Sequence, residues 1–209
     1  MKDLRQNYTR GQLLEQDLPE EPFSLFENWF QNAMDASSII EPNAMVLSTV
    51  VNSAPDSRIV LLKDLRDEEF VFYTNYHSHK GQQLAQIPHC NLLFPWIDMQ
   101  RQVIVRGVVK RVSAEESDEY FFSRPLSSQI GAWVSDQSSE VASRQELDEK
   151  LAELTELYKT KKMERPEHWG GYAIEPLQIE YWQGRENRLH DRILYKKEAN
   201  IWSHQRLQP

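Results

Sequence analysis

Ala44-Met-Val-Leu-Ser-Thr-Val-Val51, Arg58-Ile-Val-Leu-Leu-Lys63, Glu69-Phe-Val-Phe-Tyr-Thr74, Asn91-Leu-Leu-Phe-Pro-Trp96 and Gln102-Val-Ile-Val-Arg-Gly-Val-Val-Lys-Arg-Val112 follow one another within seventy residues or so, and their spacing decides the fold. Each run is rich in the Val, Ile, Phe and Tyr that suit a pleated, half-buried surface, and Pro, Asp and Asn punctuate the gaps. The gaps are too short for the crossovers that parallel strands need, so consecutive strands pair antiparallel. About five to seven such strands with a buried face predict a closed or partly closed barrel and disfavour a Rossmann sheet.

Outward from the strands the period changes to that of helices. Upstream, Pro22 suits a first helical turn, and Phe26, Trp29, Phe30 and Ala33 recur at three- and four-residue steps. Ser78 to Ile87 reads as a short helix stopped before Pro88. Ser113 with Glu116 spells a capping box that opens a second helix, ended by Pro125. Ser143 with Glu146 caps a third, for which Leu147, Leu151, Leu154 and Tyr158 predict a buried stripe. Trp133, Gln137 and Ser138 are assigned to a Ser-rich loop. Residues 1–20 are polar and expected to be mobile until something docks them, and residues 21–209 are expected to form one domain. The architecture is therefore mainly β with peripheral helices.

Composition limits the partners. With 24 Lys and Arg against 32 Asp and Glu the net charge is -8, which argues against nucleic acid or an anionic membrane surface. Cys90 is the only cysteine, so neither an internal disulfide nor a Cys-rich zinc site can form, and a reducing cytoplasm is the natural compartment. The polar first ten residues hold no apolar signal region, and no run approaches membrane-spanning length, so a soluble, unprocessed protein is expected. His77, His79, His89, His168 and His204 share no metal-ligand spacing, and no metal is expected.

The remaining cations point to anions. In an extended strand Arg188, His190 and Arg192 would share one face, beside a preceding strand through Tyr181 and Trp182. Three potential cations in a row repel one another unless an anion or carboxylates lie across them. Lys80 opens the Ser78 helix, where free N–H groups face outward. Arg58 and Lys63, an odd number apart, would face opposite sides of one strand and could serve two anions. Tyr120 and Arg124 would share a helix face, with Ser128 just past its end, and together they suit a phosphate monoester. No Gly-x-Gly-x-x-Gly, Walker loop or Gly-x-Ser-x-Gly elbow occurs.

Taken with Phe72-Tyr-Thr-Asn75, Leu93-Phe-Pro-Trp96, Arg101-Gln-Val103, Ser123-Arg-Pro125, Ser128-Gln-Ile-Gly-Ala-Trp-Val-Ser135, Gln137-Ser-Ser139 and Trp182-Gln-Gly184, the strings around Arg58, Lys63 and Arg188 to Arg192 strongly resemble the pyridoxamine 5'-phosphate oxidase family over nearly the whole chain. The resemblance implies an antiparallel FMN-binding split β-barrel and a homodimer with sites at the subunit interface. The implied activity is oxidation of pyridoxamine 5'-phosphate and pyridoxine 5'-phosphate to pyridoxal 5'-phosphate, with dioxygen as acceptor and hydrogen peroxide as by-product. By similarity Arg58, Ile59, Val60, Leu61, Leu62, Lys63, Tyr73, Thr74, His79, Lys80, Gln102, Gln137, Ser138, Trp182 and Arg192 would contact FMN. Lys63, Tyr120, Arg124 and Ser128 would hold the substrate phosphate, and Arg188 and His190 would meet the pyridine side as the catalytic pair. Arg5 and Tyr8 resemble residues that close over the site. His79 departs from the family, which commonly has Arg or Lys there, so FMN binding is expected to be weaker or pH-dependent. A split-barrel flavin reductase and a non-catalytic carrier of flavin, haem or pyridoxal phosphate are the rival readings.

Overall fold

The computed structural model describes Leu4 and residues 6–209. Nine strands form one antiparallel sheet: β1 (Ala44–Val51), β2 (Ala54–Leu61), β3 (Asp64–Arg66), β4 (Glu69–Asn75), β5 (His89–Trp96), β6 (Arg101–Arg111), β7 (Trp169–Gln183), β8 (Asp191–Glu198) and β9 (Ile201–Leu207). The path runs β2-β1-β5-β6-β7-β4-β3, with β8 and β9 as a branch from β7. The split lies in β7, whose length serves both branches. Residues 169–174 pair with β4 and residues 178–183 with β8, while β6 runs along the other edge. The sheet is therefore split and not closed.

Three hairpins in this sheet turn on two residues that are both at positive φ, Asn52-Ser53, Asp67-Glu68 and Ala199-Asn200. That is the turn whose twist matches the strands it joins. Around the sheet lie α1 (Phe23–Asp35), α2 (His79–Gln86), α3 (Ala114–Ser123), α4 (Leu126–Val134) and α5 (Arg144–Leu157). No helix among the described residues is long and apolar enough to cross a membrane.

The core forms where α1 covers the sheet. Phe26 is buried and meets Phe70 and Phe94 edge-on at 4.9 and 5.0 Å, arrangements that aromatic quadrupoles favour. Two of the buried aromatics have their polar tips satisfied: Tyr181 donates to the Pro22 carbonyl at 2.7 Å and Trp96 Nε1 to that of Pro42 at 2.9 Å. Residues of the N-terminal segment lie against the β8–β9 hairpin. Leu13 is buried and its N–H donates to Asp191 at 3.0 Å, and Glu15 pairs with Arg206 at 2.6 Å.

Helix ends follow the caps. Ser113 accepts from the Glu116 N–H while the Glu116 carboxylate accepts from the Ser113 N–H, a complete capping box. Ser113→Ala is expected to lower stability by about 1 kcal/mol. A shift in the urea midpoint at constant slope would measure it, and an unchanged midpoint would dismiss the cap. Ser78 caps α2 in the same way by accepting from Gly81, and Gly81 is needed for a second reason. A Cβ there would lie 2.2 Å from the Tyr76 carbonyl oxygen, so only glycine lets α2 fold back tightly on the end of β4.

Several local expectations are corrected. Residues 126–134 form α4, so Ser128 sits in its first turn and not past a helix end, and Trp133 lies on the helix and not on the Ser-rich loop. Pro125 ends α3 but also opens α4, where its missing N–H costs nothing. The α5 stripe is not buried: Leu147, Leu154 and Tyr158 are half-covered and Leu151 is exposed. β2 stops at Leu61, so Arg58 and Lys63 do not belong to one strand and its alternation does not relate them.

Candidate active site

A cleft of about 530 Å³ opens between the ends of β2 and β4, the start of α2, and the α3–α4 corner. Phe70 and Phe72 of β4 point into the core, so alternation turns Tyr73 to the opposite face; Tyr73 and, at the end of the strand, Thr74 both line the cleft. Lys80 enters from the first turn of α2, Lys63 from the link after β2, Tyr120 from α3, Arg124 from the residue that caps it, Ser128 from α4 and Gln137 from the loop beyond. Tyr120 and Arg124 meet in the cleft although Arg124 has already left helical geometry.

Two cations, the buried Lys80 and the half-buried Arg124, define the chemistry of this cleft. Lys80 Nζ donates to Gln137 Oε1 at 3.0 Å and to Ser78 Oγ at 3.3 Å, and Thr74 Oγ1 donates to the same Gln137 oxygen at 3.3 Å. A neutral amide oxygen thus accepts from both an ammonium and a hydroxyl. Burial, with Arg58 adding to it, holds the Lys80 ammonium below the usual lysine range. Arg124 is the second cation. Its Nη2 donates to the Ser128 carbonyl at 2.8 Å, its guanidinium lies 4.5 Å from the centre of the Trp169 ring, and its buried Nη1 has no hydrogen-bond partner. Burial lowers its pKa as well. Among the described residues neither cation has a carboxylate within ion-pair distance, and each would gain most from an anion.

Arg58 lies outside this cleft. It pairs with Asp56 at 2.6 Å and donates to Thr49 Oγ1 at 2.6 Å and Gln83 Oε1 at 3.1 Å. Gln83 is on α2 and donates to Asp56 at 2.9 Å, and that bond is the main reason the Asp56 carboxyl stays below its ordinary value. The network therefore fixes the start of α2 against β1 and β2. Ile59, Val60 and Leu61 line the cleft, while Leu62 is buried and bonded through its backbone to Asn43. His79 is exposed at the first residue of α2, and Ser138 lies on the loop at φ 75°.

The other site residues gather elsewhere in the chain. Gln102, Trp182 and Arg192 are direct cross-strand partners on β6, β7 and β8, so they form one row on one face. Arg192 pairs with Glu180 at 2.7 Å, which supplies the carboxylate that the crowded cations require. The Trp182 and His190 rings lie 4.6 Å apart, and Tyr8 packs 5.9 Å from Trp182 and 5.6 Å from His190. Arg5 lies outside the described residues. The Arg185 N–H donates to His190 Nδ1 at 3.1 Å, which places the proton of the neutral ring on Nε2. Burial first and Arg188 second push the His190 imidazole below the ordinary histidine value, with Asp191 pulling the other way.

One continuous cationic strand face is a correction. β8 begins only at Asp191, and Glu186–Arg188 is a single 3₁₀ turn with Asn187 at φ 56° and Arg188 at φ 61°. A left-handed pair reverses the chain, so the alternation read back from Arg192 does not reach Arg188. Asp191 holds this turn by accepting from Arg185, Arg206 and the Leu13 N–H.

Asn75, Ser135 and Trp169 also line this cleft and were not among the expected contacts. The signal for Trp169 was the pair Gly170-Gly171 after it. A Cβ on Gly170 would strike the Tyr76 hydroxyl and one on Gly171 the Tyr73 ring, so the glycines mark where aromatic rings press on β7.

Comparison with known proteins identifies the family. Residues 33–158 match the family described as pyridoxamine 5'-phosphate oxidase, and residues 169–209 match the pyridoxine 5'-phosphate oxidase C-terminal dimerisation region. A pyridoxine/pyridoxamine 5'-phosphate oxidase of Gloeothece citriformis is 50% identical over 209 residues, covering 99% of this chain and 97% of the relative. One of Bacteroides thetaiotaomicron is 49% identical, covering 99% and 98%. Among solved structures, PhzG from Burkholderia lata in complex with tetrahydrophenazine-1-carboxylic acid superposes with a TM-score of 0.87 at 30% identity, covering 94% of this chain and 98% of that one. An FMN binding protein of Nostoc punctiforme, related to pyridoxamine 5'-phosphate oxidase, shares the fold with a TM-score of 0.72 at 14% identity, over 92% of this chain and 100% of its own. By sequence over its full length, and by fold, this chain belongs to the pyridoxine/pyridoxamine 5'-phosphate oxidase family.

Proposed function

We propose that this chain oxidises pyridoxamine 5'-phosphate and pyridoxine 5'-phosphate to pyridoxal 5'-phosphate with FMN as its cofactor. The observation that carries the reading is the pair of cations in one cleft, buried Lys80 and half-buried Arg124 with its buried Nη1, without anionic partners among the described residues. Two separate phosphates, one on the cofactor and one on the substrate, match them. FMN, when bound, supplies the two-electron acceptor that dioxygen regenerates, releasing hydrogen peroxide.

The residues present fit that cofactor. Lys80, Thr74, the Ser78-capped start of α2 and Gln137 would hold its phosphate end, with His79 beside them and Ser138 following Gln137. The apolar run Ile59 to Leu61 offers a wall for the ring, and Arg58 would act by anchoring α2. Arg124, Tyr120, Ser128 and Lys63 would take the substrate phosphate and fix the reacting carbon from a distance. Arg188 and the Nε2–H of His190 would orient the pyridine ring and its C4' substituent.

Neither Arg188 nor His190 lines the cleft that holds Lys80 and Arg124, His190 lining a different one, and a homodimer would join the two groups. The edge strand β2 carries Ile59, 70% exposed, on the rim of the cleft, and the α3–α4 corner exposes Phe122 and Leu126, apolar side chains that a second copy would cover. The lone thiol of Cys90 is buried and pushed up to about 12, chemistry that needs no oxidising compartment and agrees with the cytoplasm.

Oxygen uptake tests the reading. The purified protein should be yellow and should consume dioxygen with either phosphate ester. Binding of pyridoxal phosphate with no oxygen consumption would mean a carrier, and turnover that requires a nicotinamide donor would mean a reductase. Either result overturns the proposal.

A further inference from the structure

The segment from Tyr8 to Leu13 crosses the Trp182–His190 end of the site as a strap, and its contacts reveal what seats it there. Gln100 stands at the corner between β5 and β6, in left-handed backbone at φ 56°, so that its side chain projects away from the sheet. Its Oε1 accepts from two successive strap N–H groups, Thr9 at 2.9 Å and Arg10 at 3.1 Å. Its backbone carbonyl accepts from the Gly184 N–H at 2.7 Å and from Gln183 Nε2 at 3.2 Å. One residue therefore ties the strap to the strand that carries Trp182.

The fit around it is close. A Cβ on Gly184 would lie 2.9 Å from Tyr8 Cγ and 3.0 Å from Gln100 Cβ, so the Tyr8 ring and the Gln100 stem press together over a bare stretch of backbone. With the strap in this register the Tyr8 ring meets both Trp182 and His190. At the far end of the strap Leu13 is anchored in the core and on Asp191, so Gln100 is the grip nearest the ring.

We propose that Gln100 is a positioning residue that seats the N-terminal strap, and through it the Tyr8 ring, over the Trp182–His190 end of the substrate site. The inference rests on the function proposed above for that site. Gln100 touches no reacting atom, and its effect passes through Thr9 and Arg10 to Tyr8. Removing the amide leaves two backbone donors without their acceptor and frees the strap, while the sheet beneath keeps its own hydrogen bonds.

The test uses the full-length protein as purified. Gln100→Ala removes the acceptor, and Gln100→Glu keeps an oxygen able to accept from both N–H groups. Trypsin cleavage after the exposed Arg10, read by intact mass, should be about tenfold faster in Gln100→Ala, the equivalent of two lost hydrogen bonds where opening limits cleavage. The KM for pyridoxamine 5'-phosphate should rise by roughly three- to tenfold, with kcat within about twofold, because the cover contributes binding more than chemistry. Gln100→Glu should restore most of both, losing only the long 3.5 Å donation from Gln100 Nε2 to the Asn7 carbonyl. Cleavage at the wild-type rate in Gln100→Ala, or faster cleavage with an unchanged KM, overturns the proposal. A wild-type protein that consumes no oxygen with either ester sinks the reading of the site instead, and the cleavage rates then decide by themselves whether Gln100 seats the strap.

Discussion

Arg124→Ala should raise the KM for pyridoxamine 5'-phosphate by about 30- to 100-fold, which corresponds to the roughly 2–3 kcal/mol of a charge-assisted contact to a phosphate. The expectation follows from the one unsatisfied donor of its guanidinium. Nη2 is bonded to the Ser128 carbonyl and the plane is stacked on Trp169, so the fork is held rigidly while Nη1 waits, buried, without an acceptor. A preorganised donor of this kind loses little entropy when its ligand arrives. FMN should remain bound, because the Lys80, Thr74 and Gln137 set is separate from it. Lysine in place of Arg124 would restore the charge without the planar fork, so Arg124→Lys should recover only part of the loss. Steady-state oxygen uptake with FMN absorbance as the control measures all three proteins. A KM within twofold of the wild type in Arg124→Ala would remove this residue from the substrate site.

Much of this site was legible before any coordinates because its chemistry resides in residue types. Five strands were found from their Val, Ile, Phe and Tyr content, and β1 with its reported bounds. The caps Ser78, Ser113 and Ser143 gave three helix starts to the residue. Three of the segments that escaped share a physical cause. β3, β9 and the first half of β2 adjoin the turns Asn52-Ser53, Asp67-Glu68 and Ala199-Asn200, and none of these contains glycine, the residue that ordinarily advertises left-handed backbone. The Asn187-Arg188 reversal escaped in the same way, so the cationic triplet looked like one strand. The stripe on α5 was recognised by period, yet period reports only that a face is apolar and not that this chain covers it. Arg58 shows the same limit from the other side. A cation at a strand end looks like an anion reader until its partners are known, and here Asp56, Gln83 and Thr49 already occupy it.

Arg188→Ala should lower kcat on the order of 100-fold, the cost of losing alignment at a reacting centre, while the flavin spectrum and the KM for the phosphate ester change little. Arg188 is exposed, has no ion-pair or hydrogen-bond partner among the described residues, and sits two residues from His190 close enough to depress its pKa. It also sits at φ 61°, a conformation that costs an L-residue about 1–2 kcal/mol and that glycine would adopt freely. On the proposed function an arginine in that backbone would serve the ligand and not the fold, which separates the two roles experimentally. Arg188→Gly should lose the same 100-fold in kcat and show a melting temperature no lower than the wild type, because relief of the left-handed strain offsets the entropy that glycine adds to the unfolded chain. A lower melting temperature with activity retained would make Arg188 a structural residue, and the pyridine side of the substrate would then need another partner.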